Sequence, residues 1–381
     1  MANKRHTYSY PTIIEYGPGA MKDFTLSVKN KGLKKGLIVT DAGIEKVGTA
    51  DKLSNYFDAV GIETVIFSGV KSNPTEKNVL NGTAMYKESA CDFIVGLGGG
   101  SPIDAGKTIK VMATHNGPLE KYDDMKGGDK YIENNMPPFY AIPTTAGTGS
   151  EVGRSSVINV NNKKTIIFSP YMMPDIAVLD PLNTVSLPPK LTAATGVDAF
   201  VHNLEAYIME TFHPMADGIA KEAMEMCVKN LSIAVQDGSN IVARGNMLMA
   251  STMGAIAFQK GLGLNHSIAH AFGVFYDMHH GLANAVVLTE VMRYNLSKES
   301  IRKKYASLGD IFGVENDAEA VIGAIEKWLE SLEMNKKLSE LGVDADKFEA
   351  LEEYALGDPC CPLNPKKVEK GDVISILEKL F

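Results

Sequence analysis

Short, nearly unbroken apolar runs alternate with amphipathic stretches through the first half of the chain. GLIVTD (36–41), ETVIFSGV (63–70), DFIVGLGGG (92–100) and FYAIPTT (139–145) are rich in β-branched and aromatic residues and poor in charge. The segments between them, 49–59, 75–89 and 102–115, set apolar residues at helical spacing among charged ones. Apolar strands separated by helices predict a parallel sheet buried on both faces. Residues 156–180 predict a small β excursion beside it.

After VSLPPK (185–190) the pattern changes. From Leu191 onward helical periodicity dominates, and no strand series is evident. Methionines recur there at helical spacing, as in NMLMASTMGAIAF (246–258), and read as core packing. The expected division is an α/β domain over 1–186 and an all-α domain over 187–381.

Composition narrows the function classes. The net charge of −8 argues against a phosphate-backbone binder, so no nucleic-acid partner is expected. No apolar run approaches the roughly 20 residues of a membrane span. The N-terminal MANKRHTYSYPTIIEYG has no apolar core of a signal peptide. Four cysteines make no disulfide scaffold. These features point away from a membrane and toward the cytoplasm.

Two stretches suggest a nucleotide. In GLGGGSPIDAGK (96–107), glycines end a strand and a helix begins near Pro102. Such a turn lets backbone N–H groups approach a pyrophosphate, although a tight strand–helix turn without ligand has the same look. Asp41 closes the GLIVTD strand. It can bind a ribose diol and repel a 2′-phosphate, or simply cap the next helix. IPTTAGTGSE (142–151) is a small, hydroxyl-rich loop that says little by itself.

Two more suggest a metal. In GVDAFVHNLEAY (196–207), Asp198 and His202 are spaced i,i+4 and share a helix face. LNHSIAHAFGVFYDMHHG (264–281) holds four of the eight histidines: His266, His270, His279 and His280. His266 and His270 are again i,i+4, but Ser-Ile-Ala stands between them, so the glutamate of an HExxH protease motif is missing. One aspartate and three or four histidines form an N/O donor set without thiolate, suited to Fe(II), Zn, Mn, Co or Ni.

In combination these motifs resemble the iron-dependent (group III) alcohol dehydrogenases, over essentially the whole chain. The resemblance implies a Rossmann-like N-terminal domain binding NAD and an all-helical, metal-binding C-terminal domain. This is the dehydroquinate synthase-like plan, with the active site in the cleft between the domains. It implies Asp198, His202, His266 and His280 as metal ligands, with Fe(II) ahead of Zn. His270 matches the histidine near substrate and nicotinamide, and His279 falls where the family usually has proline. Gly98, Gly99, Gly100 and Ser101 match pyrophosphate contacts, and Asp41 the ribose-binding acid. Asn73, Thr144, Thr145, Lys164 and Leu187 match further cofactor contacts. Phe258 and Cys360 match the substrate pocket, and Gly153 stands beside it where the family usually has threonine.

The implied reaction is reversible hydride transfer between a short primary alcohol or diol and its aldehyde. The implied assembly is a homodimer or larger homo-oligomer. Other departures are Arg154 after Gly153, Ala271 for a usual proline, Asn265 for an apolar residue, and NPK at 364–366. Arg154 raises a small anionic aldehyde such as sulfoacetaldehyde as an alternative substrate. A zinc-dependent non-redox enzyme on the same plan is the rival reading. A dehydroquinate synthase would need more basic residues near His266 than Lys260. A metallohydrolase would need a carboxylate base beyond Asp198, and a non-catalytic binder would leave the two sets of motifs without a joint use.

Overall fold

The run Phe93–Gly98 is buried at every position, which is what a charge-free strand between helices requires. The computed structural model describes residues 8, 10, 12–161 and 163–381. Its strands are β1 (Ile13–Tyr16), β2 (Lys35–Asp41), β3 (Glu63–Val70), β4 (Phe93–Gly98), β5 (Phe139–Pro143), β6 (Ser155–Val160), β7 (Lys163–Phe168) and β8 (Ile176–Leu179). Six of them form one sheet in the order β1-β8-β5-β4-β2-β3, every pair parallel. β6 and β7 form a separate antiparallel hairpin.

Helices α1 (Ala20–Asn30), α2 (Ala42–Lys46), α3 (Thr49–Ala59), α4 (Glu76–Glu88) and α5 (Gly100–Thr114) connect the strands. Side chains alternate across a strand, so each apolar run feeds two cores. Leu37, Val39 and Ile94 pack with Val79 of α4 and Ile103 and Ile109 of α5. Ile38, Phe93 and Val95 pack with Phe24 and Val28 of α1 and Leu53 and Phe57 of α3. Each such side chain contributes roughly 1.5–3 kcal/mol on burial.

The β excursion expected at 156–180 is two things. Its first part is the β6–β7 hairpin. Its last part, β8, returns to the main sheet between β1 and β5. Four apolar residues, IAVL, are too short a run to reveal that return. α1 was also hidden: its N-terminus has no side-chain cap of its own, and Asp180 supplies one from across the fold, accepting from Gly19 N (3.1 Å) and Met21 N (3.2 Å).

The chain divides into two compact units between Leu187 and Pro188. The second is helical: α6 (Pro189–Ile208), α7 (Pro214–Gln236), α8 (Ile241–Ala257), α9 (Leu264–Tyr276), α10 (His280–Asn295), α11 (Glu299–Ala306), α12 (Gly309–Phe312), α13 (Ala318–Ser331), α14 (Phe348–Gly357) and α15 (Asp372–Leu380). Contrary to expectation, Ile241–Lys260 is long and apolar enough, by length and composition, to cross a membrane. Most of it is buried inside this unit, against α6 and α7, and the buried Lys260 at its end pairs with Asp217. It is a core helix of the unit. Met224 and Met247 are buried there too, as methionines in a core should be.

Candidate active site

Helix α6 is buried nearly all round, and its buried residues include Asp198, His202, Asn203 and Glu205. Buried polar groups need partners. Asp198 and His202 find them across the helix face in His266 of α9 and His280, the first residue of α10. A close crossing sets this geometry: a Cβ on Gly281 would collide with the carbonyl of Ala194, so only glycine lets α10 start against α6. One ligand atom from each of Asp198, His202, His266 and His280 lies within 4.8 Å of all the others. Asp198 Oδ1 is 3.5 Å from His280 Nε2 and 3.9 Å from His266 Nε2, and Oδ2 is 4.0 Å from His202 Nδ1.

The electrostatics suit a cation. Burial pushes the Asp198 carboxyl up, but His202, His280, His266 and an Asn284 hydrogen bond outweigh it and hold the group at about 2. Burial keeps the His266 and His280 imidazoles well below their ordinary value, hence neutral, with lone pairs to donate. One carboxylate and three imidazoles, with no thiolate, fit a divalent first-row cation. His279 is exposed and lies outside this group.

A second layer of polar residues supports the first. Glu205 Oε2 is 2.6 Å from His266 Nδ1, and its Oε1 accepts from Asn265 N at 2.9 Å. Burial pushes Glu205 up to about 7, against the pull of the backbone N–H groups at the start of α9. Asn284 Nδ2 donates to Asp198 Oδ1 (2.7 Å), while Asn284 Oδ1 accepts from Asn265 Nδ2 (2.8 Å). The unusual Asn265 is thus tied to the residue that holds Asp198. Phe258 packs on the His202 ring, centroids 5.1 Å apart. Sequence reasoning overlooked Glu205 and Asn284, though each stands on a helix that carries one of the clustered residues: Glu205 seven residues after Asp198, Asn284 four after His280.

His270 stands beside this group, its ring stacked on that of His280 at 5.4 Å. His270, Asp358 and Cys360 form a second cluster with donor atoms within 4.8 Å. His270 Nδ1 lies 2.8 Å from Asp358 Oδ2.

The other expected residues lie in the α/β unit. Gly98 ends β4 at φ +148°, where a Cβ would come 2.6 Å from Pro102 Cγ. Gly99 leads into α5 with no side-chain cap and no acid in the first turn, leaving the N–H groups at the start of a 15-residue helix open to an anion. Thr144 N donates to Gly98 O (2.9 Å), and Cβ atoms on Gly99 and Gly100 would come 3.4 Å from Thr145 Oγ1 and 2.9 Å from Thr148 Cγ2. The threonine loop therefore lies directly on the glycine turn. The fully buried Lys107, a further residue missed from sequence, pins that loop through Ser150 O (3.0 Å) and Ser150 Oγ (2.7 Å) and pairs with Asp104 of its own helix (3.2 Å).

Asp41 turns out to be a cap, with Oδ1 accepting from Gly43 N (2.8 Å) and Ile44 N (3.1 Å). Its Oδ2 would be 3.4 Å from a Cβ on Gly98, so the second oxygen faces the glycine turn. The two readings of Asp41 are compatible, one for each oxygen. Ser101 Oγ donates to Ser72 O (2.5 Å), Asn159 N donates to Pro74 O (2.7 Å), and Asn159 pairs with Lys164 in the hairpin. These links bring Asn73 and Lys164 to the neighbourhood of Ser101. Leu187 is half-buried at the end of this unit. Gly153 sits beside Lys107, and Arg154 lies over the Phe168 ring at 5.7 Å.

Two family models cover the chain: iron-containing alcohol dehydrogenase over residues 11–181, and the C-terminal part of the same family over 192–381. The chain belongs to the iron-containing alcohol dehydrogenase family. It is a metal-dependent alcohol/aldehyde oxidoreductase. It is 38% identical to a 1,3-propanediol dehydrogenase of Klebsiella pneumoniae over 393 aligned positions, covering 100% of both chains. It is 37% identical to a 4-hydroxybutyrate dehydrogenase of Cupriavidus necator, covering 97% of this chain and 98% of that one. A solved 1,3-propanediol oxidoreductase superposes with a TM-score of 0.93 at 38% identity, over 99% of this chain and 100% of that one. This membership confirms the Rossmann-like α/β plus all-helical plan and sets aside the hydrolase and the non-catalytic binder.

Proposed function

We propose that this iron-containing alcohol dehydrogenase family member interconverts a short primary alcohol or diol and its aldehyde with NAD(H), on a divalent cation held by Asp198, His202, His266 and His280. The observation that carries the reading is the convergence of those four donors, from three separate helices, within 4.8 Å. Fe(II) comes before Zn in this reading, because a four-donor N/O set suits a cation that takes further ligands. When bound, the cation supplies Lewis acidity toward the substrate oxygen and the nicotinamide supplies or takes the hydride.

The chain's own residues do the rest. Glu205 and Asn284 hold His266 and Asp198 in place. In reduction, the aldehyde carbon gains a hydride and its oxygen gains a proton; His270 delivers that proton and recovers it from solvent. In oxidation the same imidazole takes the hydroxyl proton. Gly98, Gly99, Gly100 and Ser101 bind the pyrophosphate, with Thr144 and Thr145 over the turn and Asn73, Lys164 and Leu187 around it. Asp41 binds the ribose diol and repels a 2′-phosphate. Gly153, Phe258 and Cys360 border the substrate.

The 1,3-propanediol relatives support a neutral diol or 3-hydroxyaldehyde as substrate. The 4-hydroxybutyrate dehydrogenase supports a second reading, a short aldehyde bearing an anionic group. Four free cysteines support a reducing, cytoplasmic setting. The exposed edge strand β1, with Ile13 64% exposed, supports a homodimer or larger assembly.

Absorbance at 340 nm tests the function. Metal-stripped protein with NADH and 3-hydroxypropanal, propanal or succinic semialdehyde is expected to be inactive, and Fe(II) or Zn to restore NADH oxidation. No oxidation on any aldehyde with a full complement of metal contradicts it.

A further inference from the structure

We propose that Asp358 is the positioning residue of His270: it holds the imidazole in the tautomer with hydrogen on Nδ1 and leaves Nε2 as the proton-exchanging atom. The inference rests on the reading of His270 as the proton relay.

Asp358 follows α14 and is 7% exposed. Its Oδ2 lies 2.8 Å from His270 Nδ1. Its Oδ1 accepts from Cys360 N (2.9 Å) and from Ser267 Oγ (3.4 Å). The carboxylate is thus fixed by its own chain and by the helix that carries His270. Burial pushes the Asp358 carboxyl up, but the His270 hydrogen bond and the Cys360 N–H more than offset this and hold it below its ordinary value, so it is ionised. An ionised carboxylate only accepts, so the hydrogen between the two groups belongs to Nδ1. Among the described residues Nε2 has no hydrogen-bond partner, and the side chain is 27% exposed.

The ring is held on a second side by its stack on His280, 16° from parallel. Six residues after Asp358, Asn364 Oδ1 accepts from Leu264 N (3.2 Å) at the start of α9. The segment 358–364 therefore fastens α9 at its first residue and again at His270. α9 then carries two imidazoles held by carboxylates on Nδ1, one turn apart. Glu205 holds His266, whose Nε2 faces Asp198, and Asp358 holds His270, whose Nε2 is free. An unheld imidazole samples both tautomers and rotates, which lowers the fraction competent to accept a proton.

Histidine 15N NMR on the zinc-loaded full chain reads the tautomer. Hydrogen on Nδ1 and a bare Nε2 at His270 are expected; hydrogen on Nε2 overturns the proposal, whether or not any variant folds. In the metal-loaded enzyme with NADH and propanal, Asp358→Asn is expected to lower kcat by roughly 10–100-fold, leaving KM within about twofold and metal content at the parent level. Asp358→Glu recovers part of the loss. Combined with His270→Ala, Asp358→Asn costs nothing further. An unchanged kcat in Asp358→Asn, or a full additional loss in the double variant, overturns the positioning role. A His270→Ala enzyme with undiminished kcat instead removes the proton-relay reading on which it stands.

Discussion

Glu205 Oε2 stands 2.6 Å from His266 Nδ1, and His266 Nε2 faces Asp198 Oδ1 at 3.9 Å. A ligand imidazole whose far nitrogen is held by a carboxylate has its ring orientation and tautomer set before metal arrives. Glu205→Gln keeps the shape and removes the ionisable carboxyl. It is expected to weaken metal binding by roughly 10–100-fold, read by titration of the stripped protein with Zn and by its melting temperature with and without metal. Equal affinities in the two proteins would show that Glu205 only caps α9.

Asp41 gives a test of cofactor choice that separates charge from folding. Its Oδ1 caps α2 through Gly43 N and Ile44 N, so Asp41→Asn preserves the cap while removing the charge. The ratio of kcat/KM for NADPH over NADH is expected to rise by roughly tenfold or more in Asp41→Asn. The melting temperature is expected to stay near that of the parent. An unchanged ratio would mean that Asp41 serves α2 alone.

Thiol reactivity supplies a pH dependence. Burial pushes Cys91 up to about 11 and Cys227 up to about 12. Cys360 and Cys361 are raised as well, by burial first and by Asp358 second. A raised thiol loses its proton at higher pH, so at pH 8 roughly one Cys91 in a thousand is thiolate, against about a quarter of free cysteine. Modification of the native protein by Ellman's reagent is expected to be slow at pH 8 and to quicken with each rise in pH. One or two thiols reacting as fast as free cysteine at pH 8 would identify Cys360 or Cys361 as a reactive group instead of a packed one.

How far this architecture was legible depended on the range of the interactions. The alternation of β2, β4 and β5 with helices was readable because each run is local and buried on two faces. Asp198 and His202 were readable because one helix turn separates them. Glu205 and Asn284 were equally local, on the same helices, and went unnoticed because a carboxylate or amide on a helix has no distinctive spacing of its own. Asp358 could not be read locally: 88 residues separate it from His270, and only the packing of α14 on α9 brings them together. Asp180, which caps α1 from 161 residues away, escaped notice for the same reason. The dual use of Asp41 needed coordinates, since each oxygen has a different neighbour.

The most direct measurement of the central claim is the metal content of the purified protein beside that of its His266→Ala, His280→Ala and His270→Ala variants, with NADH oxidation recorded on each. The parent and His270→Ala are expected to hold one equivalent of divalent metal per chain, with turnover much reduced in His270→Ala. His266→Ala and His280→Ala are expected to lose both metal and activity. Full metal in both ligand variants, or its loss in His270→Ala, would contradict the site as assigned.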